Sequence, residues 1–343
     1  MNYRTLLAVC LILLTGASPL LGQGAVDVSK TGTTAASFLE IQVGAPGVAL
    51  GGAVVSRTHD ASAMYWNAAG IASIEKSDVL LSHTNWIADT KFDYAAFVMP
   101  LEGVGSLGIS ITSLSMSDML VRTVEQPEGT GEYFSAGDLA ASVGFARQLT
   151  DRFAIGISGK YIRESIWHES ASAMAIDLGT TFRTDLLGGL VIGATLKNFG
   201  TSMKMDGRDT RQFHPIDPSK QGSNDRIPED IELDAWDLPL SFQFGVSTDV
   251  MKAEHFHWNI AADAVHPNNN YESLNVGTEF NYQDFLFFRA GYHSLFLNNA
   301  EGGLSLGVGV STPISITSLR FDYAFRDFGR LQSIHVFSVG MQF

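Results

Sequence analysis

Charged residues are scarce in this sequence, at 17% of 343 residues, against roughly 25% in an average soluble protein. Basic residues are the scarcer kind, because 22 Lys and Arg stand against 36 Asp and Glu, giving a formal net charge of −14. Binding to nucleic acid needs a basic surface that neutralises phosphates. We therefore expect no nucleic acid among the partners.

Cysteine is almost absent, and the only one, Cys10, lies in an apolar N-terminal run. Residues 1–22 combine Arg4, an apolar core over residues 6–14 and small residues after it, which is typical of a secretory signal peptide. The run is too short to cross a membrane as a helix. We expect an exported chain with no disulfide, no thiol nucleophile and no Cys-ligated metal.

The rest of the sequence has no long apolar run, but it has 34 Gly, 22 Phe and many segments of about ten residues with period-two alternation. In residues 152–163, Ile155, Ile157 and Tyr161 alternate with Ala154, Ser158 and Lys160. Such segments are strands with one apolar face and one small or polar face. We predict fourteen of them, at residues 78–87, 92–100, 104–114, 137–148, 152–163, 172–183, 188–198, 239–248, 256–265, 272–282, 284–294, 301–311, 316–327 and 332–343.

The connections between these strands tend to alternate between short turns and longer loops, of which residues 115–136 and 199–238 are the longest. Outer-membrane barrels have short turns on one side and longer loops on the other. A soluble β-sandwich is the competing fold, but it has no reason to sort its loops in this way. We therefore predict an all-β, transmembrane outer-membrane barrel of about 14 antiparallel strands over residues 78–343, in contact with outer-membrane lipid.

Residues 25–77 do not alternate and are too few to bury a core of their own easily. We expect them to form an N-terminal hatch, or plug, inside the barrel. Within them, "HDASAMYWNAAGIAS" at residues 59–73 predicts an N-cap at Asp60, a short helix over residues 61–66 and an exit turn over residues 67–70. The candidate structural or gating residues are Asp60, Tyr65, Trp66, Asn67, Gly70, Gly51 and Gly52. Tyr65 and Trp66 either pack the hatch against the wall or form a gate or a ligand contact.

No catalytic, cofactor or metal site is predicted. "GLSLG" at residues 303–307 imitates a nucleophile elbow, but that motif needs a strand-to-helix turn and Ser305 lies within a strand. His255 and His257 share one face without a nearby carboxylate, which is a poor metal site. The inward-facing charges are expected to pair across the lumen, and they are Lys160, Asp177, Arg183, Asp263, Arg320 and Asp322.

Residues 37–72 contain a series of short motifs, which are Phe38-Leu39, Gly44-Ala45, Leu50-Gly51-Gly52, Asp60-Ala61-Ser62-Ala63, Trp66-Asn67 and Ala69-Gly70-Ile71-Ala72. In this order they resemble the N-terminal signature of the PorV/PorQ family of outer-membrane proteins, which are relatives of the FadL-type long-chain fatty-acid channels. Pro46 stands where the family usually has Arg. Ala68 replaces a Pro, which removes a restriction on the backbone of Asn67.

The resemblance implies a FadL-like barrel with a hatch and no enzymatic activity. It also implies one of two functions. Some members serve type IX protein secretion and bind the C-terminal signal domain of secreted cargo, here through the loops at residues 115–136 and 199–238. The alternative is a channel for hydrophobic small molecules such as long-chain fatty acids, with a ligand in the lumen.

Overall fold

The computed structural model describes residues 30–217, 219, 226–297 and 300–343. The predicted signal peptide at residues 1–22 lies outside this part of the chain. Among the described residues, no helix is both long enough and apolar enough to cross a membrane.

All fourteen predicted segments form strands of one antiparallel sheet. The strands are β1 (Asp78–Asn85), β2 (Lys91–Leu101), β3 (Gly105–Ser115), β4 (Ala136–Thr150), β5 (Phe153–Ile166), β6 (Glu169–Arg183), β7 (Val191–Gly200), β8 (Ser241–Lys252), β9 (Phe256–Pro267), β10 (Ser273–Tyr282), β11 (Leu286–Leu295), β12 (Leu304–Ile314), β13 (Thr317–Asp327) and β14 (Ser333–Gln342).

Each strand pairs with its neighbours in sequence, and β1 pairs with β14 from Asp78↔Gln342 to Asn85↔His335. This last pairing closes the sheet into an up-and-down barrel and removes its free edges. The predicted count and the predicted fold class are confirmed.

The two faces of the wall follow the alternation in the sequence. In β5, Ile155, Ile157 and Tyr161 are exposed on the outside, whereas Ala154 and Ser158 are buried on the inside. An apolar outer face and a small or polar inner face suit a wall between lipid and lumen.

The two ends of the barrel differ in their connections. Short turns join β2 to β3, β4 to β5 and β12 to β13, whereas residues 116–135 and 201–240 form long loops at the opposite end. Each long loop carries a small ribbon, Met119–Leu120 with Tyr133–Phe134 and Arg211–His214 with Ile227–Asp230. The long-loop end is the extracellular end by the rule for such barrels.

Residues 30–77 contain helices and turns but no strand. Two short α-helices, α1 (Ala45–Ala49) and α2 (Ala63–Trp66), lie between 3₁₀ turns at Ser37–Glu40 and Ala68–Ser73. The small 3₁₀ turns outside this segment are Leu186–Gly188, Arg208–Thr210 and Gly329–Leu331.

Candidate functional site

Residues 34–77, called the hatch below, cross the lumen from end to end. At the extracellular end, Ala35 N donates to Asp237 O over 2.9 Å. At the other end, Ser77 precedes β1 and its carbonyl accepts from Phe343 N over 3.0 Å. Most hatch side chains between these points are buried, including those of α1 and of Val54, Val55 and Ile71.

A chain of buried charges joins the hatch to the periplasmic half of the wall. Arg57 of the hatch pairs with Glu279 on β10. Glu279 also accepts from Arg289 Nε on β11 over 2.6 Å, and Arg289 Nη1 reaches Asp322 on β13 over 2.6 Å. Each charge in the chain therefore has an opposite neighbour, which is the condition for tolerating charges inside a protein.

A second ion-pair group centres on Arg320 of β13. Its guanidinium contacts Asp60 Oδ2 at 3.3 Å and Asp78 Oδ2 at 3.2 Å. Burial alone would raise the pKa of Asp60, but Arg320 and the hydrogen bonds from Ser62 outweigh it, so that this pKa lies below its usual value. Asp60 is therefore ionised and fixed to the wall at neutral pH.

The wall also binds hatch backbone N–H groups. Asp263 Oδ2 on β9 accepts from Val54 N and Val55 N at 2.7 and 2.8 Å. Ser338 Oγ on β14 accepts from Ala45 N at 2.8 Å. The expectation that Asp263 pairs with a lumen cation was wrong, because its carboxylate meets these backbone donors instead.

The other predicted lumen charges differ in whether they pair with one another. Lys160 and Asp177 do pair, at 2.8 Å. Arg320 and Asp322 pair with other residues, as described above, and Arg183 lines a cavity near the periplasmic turns. Strand alternation predicts only which charged side chains of the wall face the lumen. It could not predict their partners in residues 30–77, because that segment has no strand periodicity.

The helix in the motif at residues 59–73 begins two residues later than predicted. Helix α2 begins at Ala63, and Asp60 does not cap it; Asp60 Oδ1 instead accepts from Ser62 N over 2.9 Å. Asn67 is the more important polar residue, since its Oδ1 accepts from Ala69 N and its Nδ2 donates to Val55 O and Thr180 O. Asn67 thus joins two parts of the hatch to β6.

Tyr65 and Trp66 fill the centre of the lumen. Their rings meet edge to face with centroids 4.9 Å apart. Tyr65 Oη donates to Leu39 O and Trp66 Nε1 donates to Val43 O, both at 3.2 Å. Burial raises the pKa of the Tyr65 phenol above its usual value, so the ring remains a neutral donor.

Three hatch glycines sit where a side chain has no room. Gly51 and Gly52 have φ of 65° and 82°, which favours glycine. A Cβ on Gly51 would lie 2.7 Å from Tyr292 N, and one on Gly70 would lie 2.7 Å from Thr58 Oγ1. These are positions of close packing.

Inward-facing glycines of the wall form the other half of this contact, and sequence reasoning missed them. A Cβ on Gly156 would lie 2.4 Å from Ala68 C, and one on Gly291 would lie 2.2 Å from Leu50 C. The same close approach to the hatch recurs at Gly179, Gly193, Gly277 and Gly307. The signal was present in the sequence, because glycines in strand interiors mark places where another backbone approaches.

Three cavities follow one another along the lumen. The outer cavity, about 140 Å³, lies under the extracellular loops and is lined by Glu40, Trp66, Lys197, Gln243, Ser273 and His293 among others. The middle cavity, about 270 Å³, is lined by Pro46, Arg57, His59, Trp66, Arg289 and Arg320 among others. The inner cavity, about 600 Å³, lies among the periplasmic turns and includes Arg57, His59, Arg183, Asp185 and Asp249. Trp66 lines both the outer and the middle cavity, and so stands between them.

The extracellular loops present a different surface. Acidic residues outnumber basic ones in residues 116–135 and in residues 201–240. Large apolar side chains are nevertheless exposed there, including Phe213 at 70%, Tyr133 at 61% and Trp236 at 50%. In the described part of the chain, no group of three or more His, Cys, Asp or Glu could hold a metal ion.

A similar fold occurs in solved structures of two toluene transporters and of a FadL homologue. The toluene transporter TodX of Pseudomonas putida has 14% identity and a TM-score of 0.53, with 88% of this chain and 97% of that chain covered. The toluene transporter TbuX of Ralstonia pickettii has 13% identity and a TM-score of 0.53, with 88% and 97% covered. A FadL homologue of Pseudomonas aeruginosa has 10% identity and a TM-score of 0.50, with 87% and 97% covered. A comparison with curated protein sequences found no match.

The closed barrel of fourteen strands and its neighbours define the class, a FadL-like β-barrel of the outer membrane. The family follows from the sequence. The model of the family described as "Type IX secretion system protein PorV" matches residues 25–235, more than half of the chain, and the chain belongs to this family.

Proposed function

We propose that this protein acts in type IX secretion by binding the C-terminal signal domain of secreted cargo at the cell surface. The observation that carries the proposal is the extracellular surface, where Tyr133, Phe213 and Trp236 are exposed among acidic residues. Exposed aromatic residues with a polar surround are typical of protein-binding surfaces. The acidic loops would suit a basic patch on the partner.

The filled lumen supports the same function. The hatch is held by two ion-pair groups and by backbone hydrogen bonds to β9 and β14. A lumen occupied in this way leaves the loops as the surface that is free for a large partner. On this proposal the barrel is a binding protein rather than an enzyme.

A pull-down from outer membranes tests the proposal with a matched pair of variants. The loop variant is Phe213→Ser with Trp236→Ser. The control is Leu186→Ser with Ile316→Ser, which removes two side chains of comparable exposure from the periplasmic turns. We expect the unmodified protein and the control to recover secreted proteins that share one C-terminal domain, and the loop variant to lose them. Equal recovery by both variants would count against the loops as the binding surface.

A channel for hydrophobic small molecules, such as long-chain fatty acids, is the second candidate. The series of three cavities favours it, since one side chain, Trp66, lies between the outer and middle cavities. The toluene transporters with this fold support it only by analogy. The test is uptake of a labelled fatty acid into liposomes. Faster uptake with Trp66→Ala than with the unmodified barrel would make Trp66 a gate, whereas equal uptake would assign it to packing.

A further inference from the structure

The outer cavity contains a buried lysine whose side-chain nitrogen has no counter-ion within contact distance in the described part of the chain. Lys197 of β7 faces the lumen and is 4% exposed. Its Nζ lies 3.7 Å from the centroid of the Tyr65 ring and 5.7 Å from that of the Trp66 ring. Among the described residues, its ammonium group makes no hydrogen bond and no salt bridge within 4.0 Å.

The neighbouring charges do not satisfy this ammonium group. Asp177 is taken by Lys160 at 2.8 Å, by Asn198 N at 2.8 Å and by Ser158 Oγ at 3.3 Å. Contact with an aromatic face offsets only part of the free-energy cost of burying an ion. None of the three N–H donors of Lys197 therefore has a negatively charged acceptor.

The cavity in front of Lys197 has the size and chemistry for a small anion. Its volume of about 140 Å³ is close to that of a cavity that holds benzene, about 150 Å³. Gln243, Ser273 and Asn270 give it polar walls, and the ring of Trp66 gives it an apolar one. The one carboxylate in the lining, Glu40, accepts from Asn269 Nδ2 at 3.0 Å and forms no salt bridge with Lys197. A single uncompensated ammonium matches a monoanion better than a phosphate dianion.

We propose that the outer cavity binds a carboxylate of about the size of benzoate, whose oxygens accept hydrogen bonds from Lys197 while its carbon part packs against Trp66. The carboxylate could belong to a free small acid or to the end of a longer chain that enters from the extracellular mouth. The site goes beyond the cargo-binding function, because it involves the lumen and none of the exposed loop aromatics. In its chain-end form it rests on the channel function given above as the second candidate.

Calorimetric titration of the purified barrel in a non-ionic detergent tests this proposal, with benzoate as the small acid and octanoate as the chain end. We expect saturable binding of one carboxylate per barrel. Lys197→Met should weaken it about tenfold or more, because it removes a charge-assisted hydrogen bond. Glu40→Gln should strengthen it, because it removes the competing negative charge. The control is Lys252→Met, the same change at an exposed lysine near the periplasmic end of β8.

Thermal unfolding of the same variants separates this site from a packing role. Removing an uncompensated buried charge should leave the unfolding temperature of Lys197→Met unchanged or raised. Lys197→Arg, which keeps the charge, should keep binding within a few-fold, and it serves if Lys197→Met does not fold. Tighter binding of octanoate than of benzoate would identify the chain end as the source, and the reverse would identify a free acid. Absence of saturable binding, unchanged binding in Lys197→Met, or weaker binding together with a lower unfolding temperature in that variant, would overturn the proposal.

Discussion

The lumen and the extracellular loops of this barrel use the same residue types in opposite ways. In the lumen, Trp66 is 3% exposed and its indole N–H is bonded, and Asp60 is paired with Arg320. In the loops, Trp236 is 50% exposed and Asp234 lies on an exposed surface. The lumen contacts stabilise one arrangement of the hatch, whereas the loop residues remain available for a partner.

This difference separates stability from binding in an experimentally useful way. Changes in the lumen should lower the free energy of unfolding, because they leave cavities, clashes or unpaired charges. Changes in the loops should alter binding and leave the barrel as stable as before.

The largest effect is expected for Trp66→Ala. Truncating a buried Trp costs about 3–5 kcal/mol, and the matched change Trp236→Ala should cost less than about 0.5 kcal/mol because that ring is half exposed. Urea unfolding of both variants in lipid vesicles measures the difference. Similar losses for the two would contradict the distinction between the lumen and the loops.

A smaller loss, about 3 kcal/mol, is expected for Gly156→Ala, because the new methyl group would meet the backbone of Ala68 and force the hatch to shift. Gly159→Ala in the same strand is the control, since no heavy atom lies within 4 Å of that Cβ position. Unfolding curves and protease sensitivity of the hatch should change for the first variant alone. If the two variants have the same stability and protease sensitivity, the wall glycines are not needed to position the hatch.

Asp60→Asn should cost about 2 kcal/mol at neutral pH, since it removes a buried charge-assisted partner of Arg320 while Asp78 keeps its own contact. Because the pKa of Asp60 is lowered in the folded protein, its contribution is complete above the unfolded pKa of about 3.9. That contribution disappears as the pH falls through the folded value. The difference in free energy of unfolding between the unmodified protein and the variant should therefore be large at pH 7 and smaller at pH 3. A difference that grows at pH 3 would contradict the conclusion that ionised Asp60 stabilises the folded protein.

The smallest effect on stability belongs to the loop variant Phe213→Ser with Trp236→Ser. Both side chains are at least half exposed, so their removal should change the free energy of unfolding by no more than about 0.5 kcal/mol even where cargo recovery is lost. A large loss of stability would mean that these aromatics pack within the loops and would weaken the binding proposal.

The wall could be predicted from the sequence almost completely, because each strand repeats the same two-residue rule. Ile155 and Ile157 face out and Ser158 faces in, and a one-residue shift would reverse every side chain. The alternation of short and long connections then favoured an outer-membrane barrel over a soluble β-sandwich.

The position of the hatch could be predicted from the sequence, but its contacts could not. Its helix begins at Ala63 rather than at Ala61, and Asp60 bonds to Ser62 and Arg320 instead of capping it. Asp263 was assigned to a cation and meets the hatch backbone instead. The contacts of Asp60 with Arg320 and of Asp263 with Val54 join residues more than 200 positions apart, and neither periodicity nor local propensity carries information over such distances.

The passage of the hatch through the lumen has a consequence for biogenesis. Ala45 and Asp60 lie near the start of the chain, yet their partners Ser338 and Arg320 lie on its last two strands. Contacts of such long sequence separation form late and slowly. Completion of these hatch contacts and closure of the β1–β14 seam therefore depend on the same last two strands, β13 and β14.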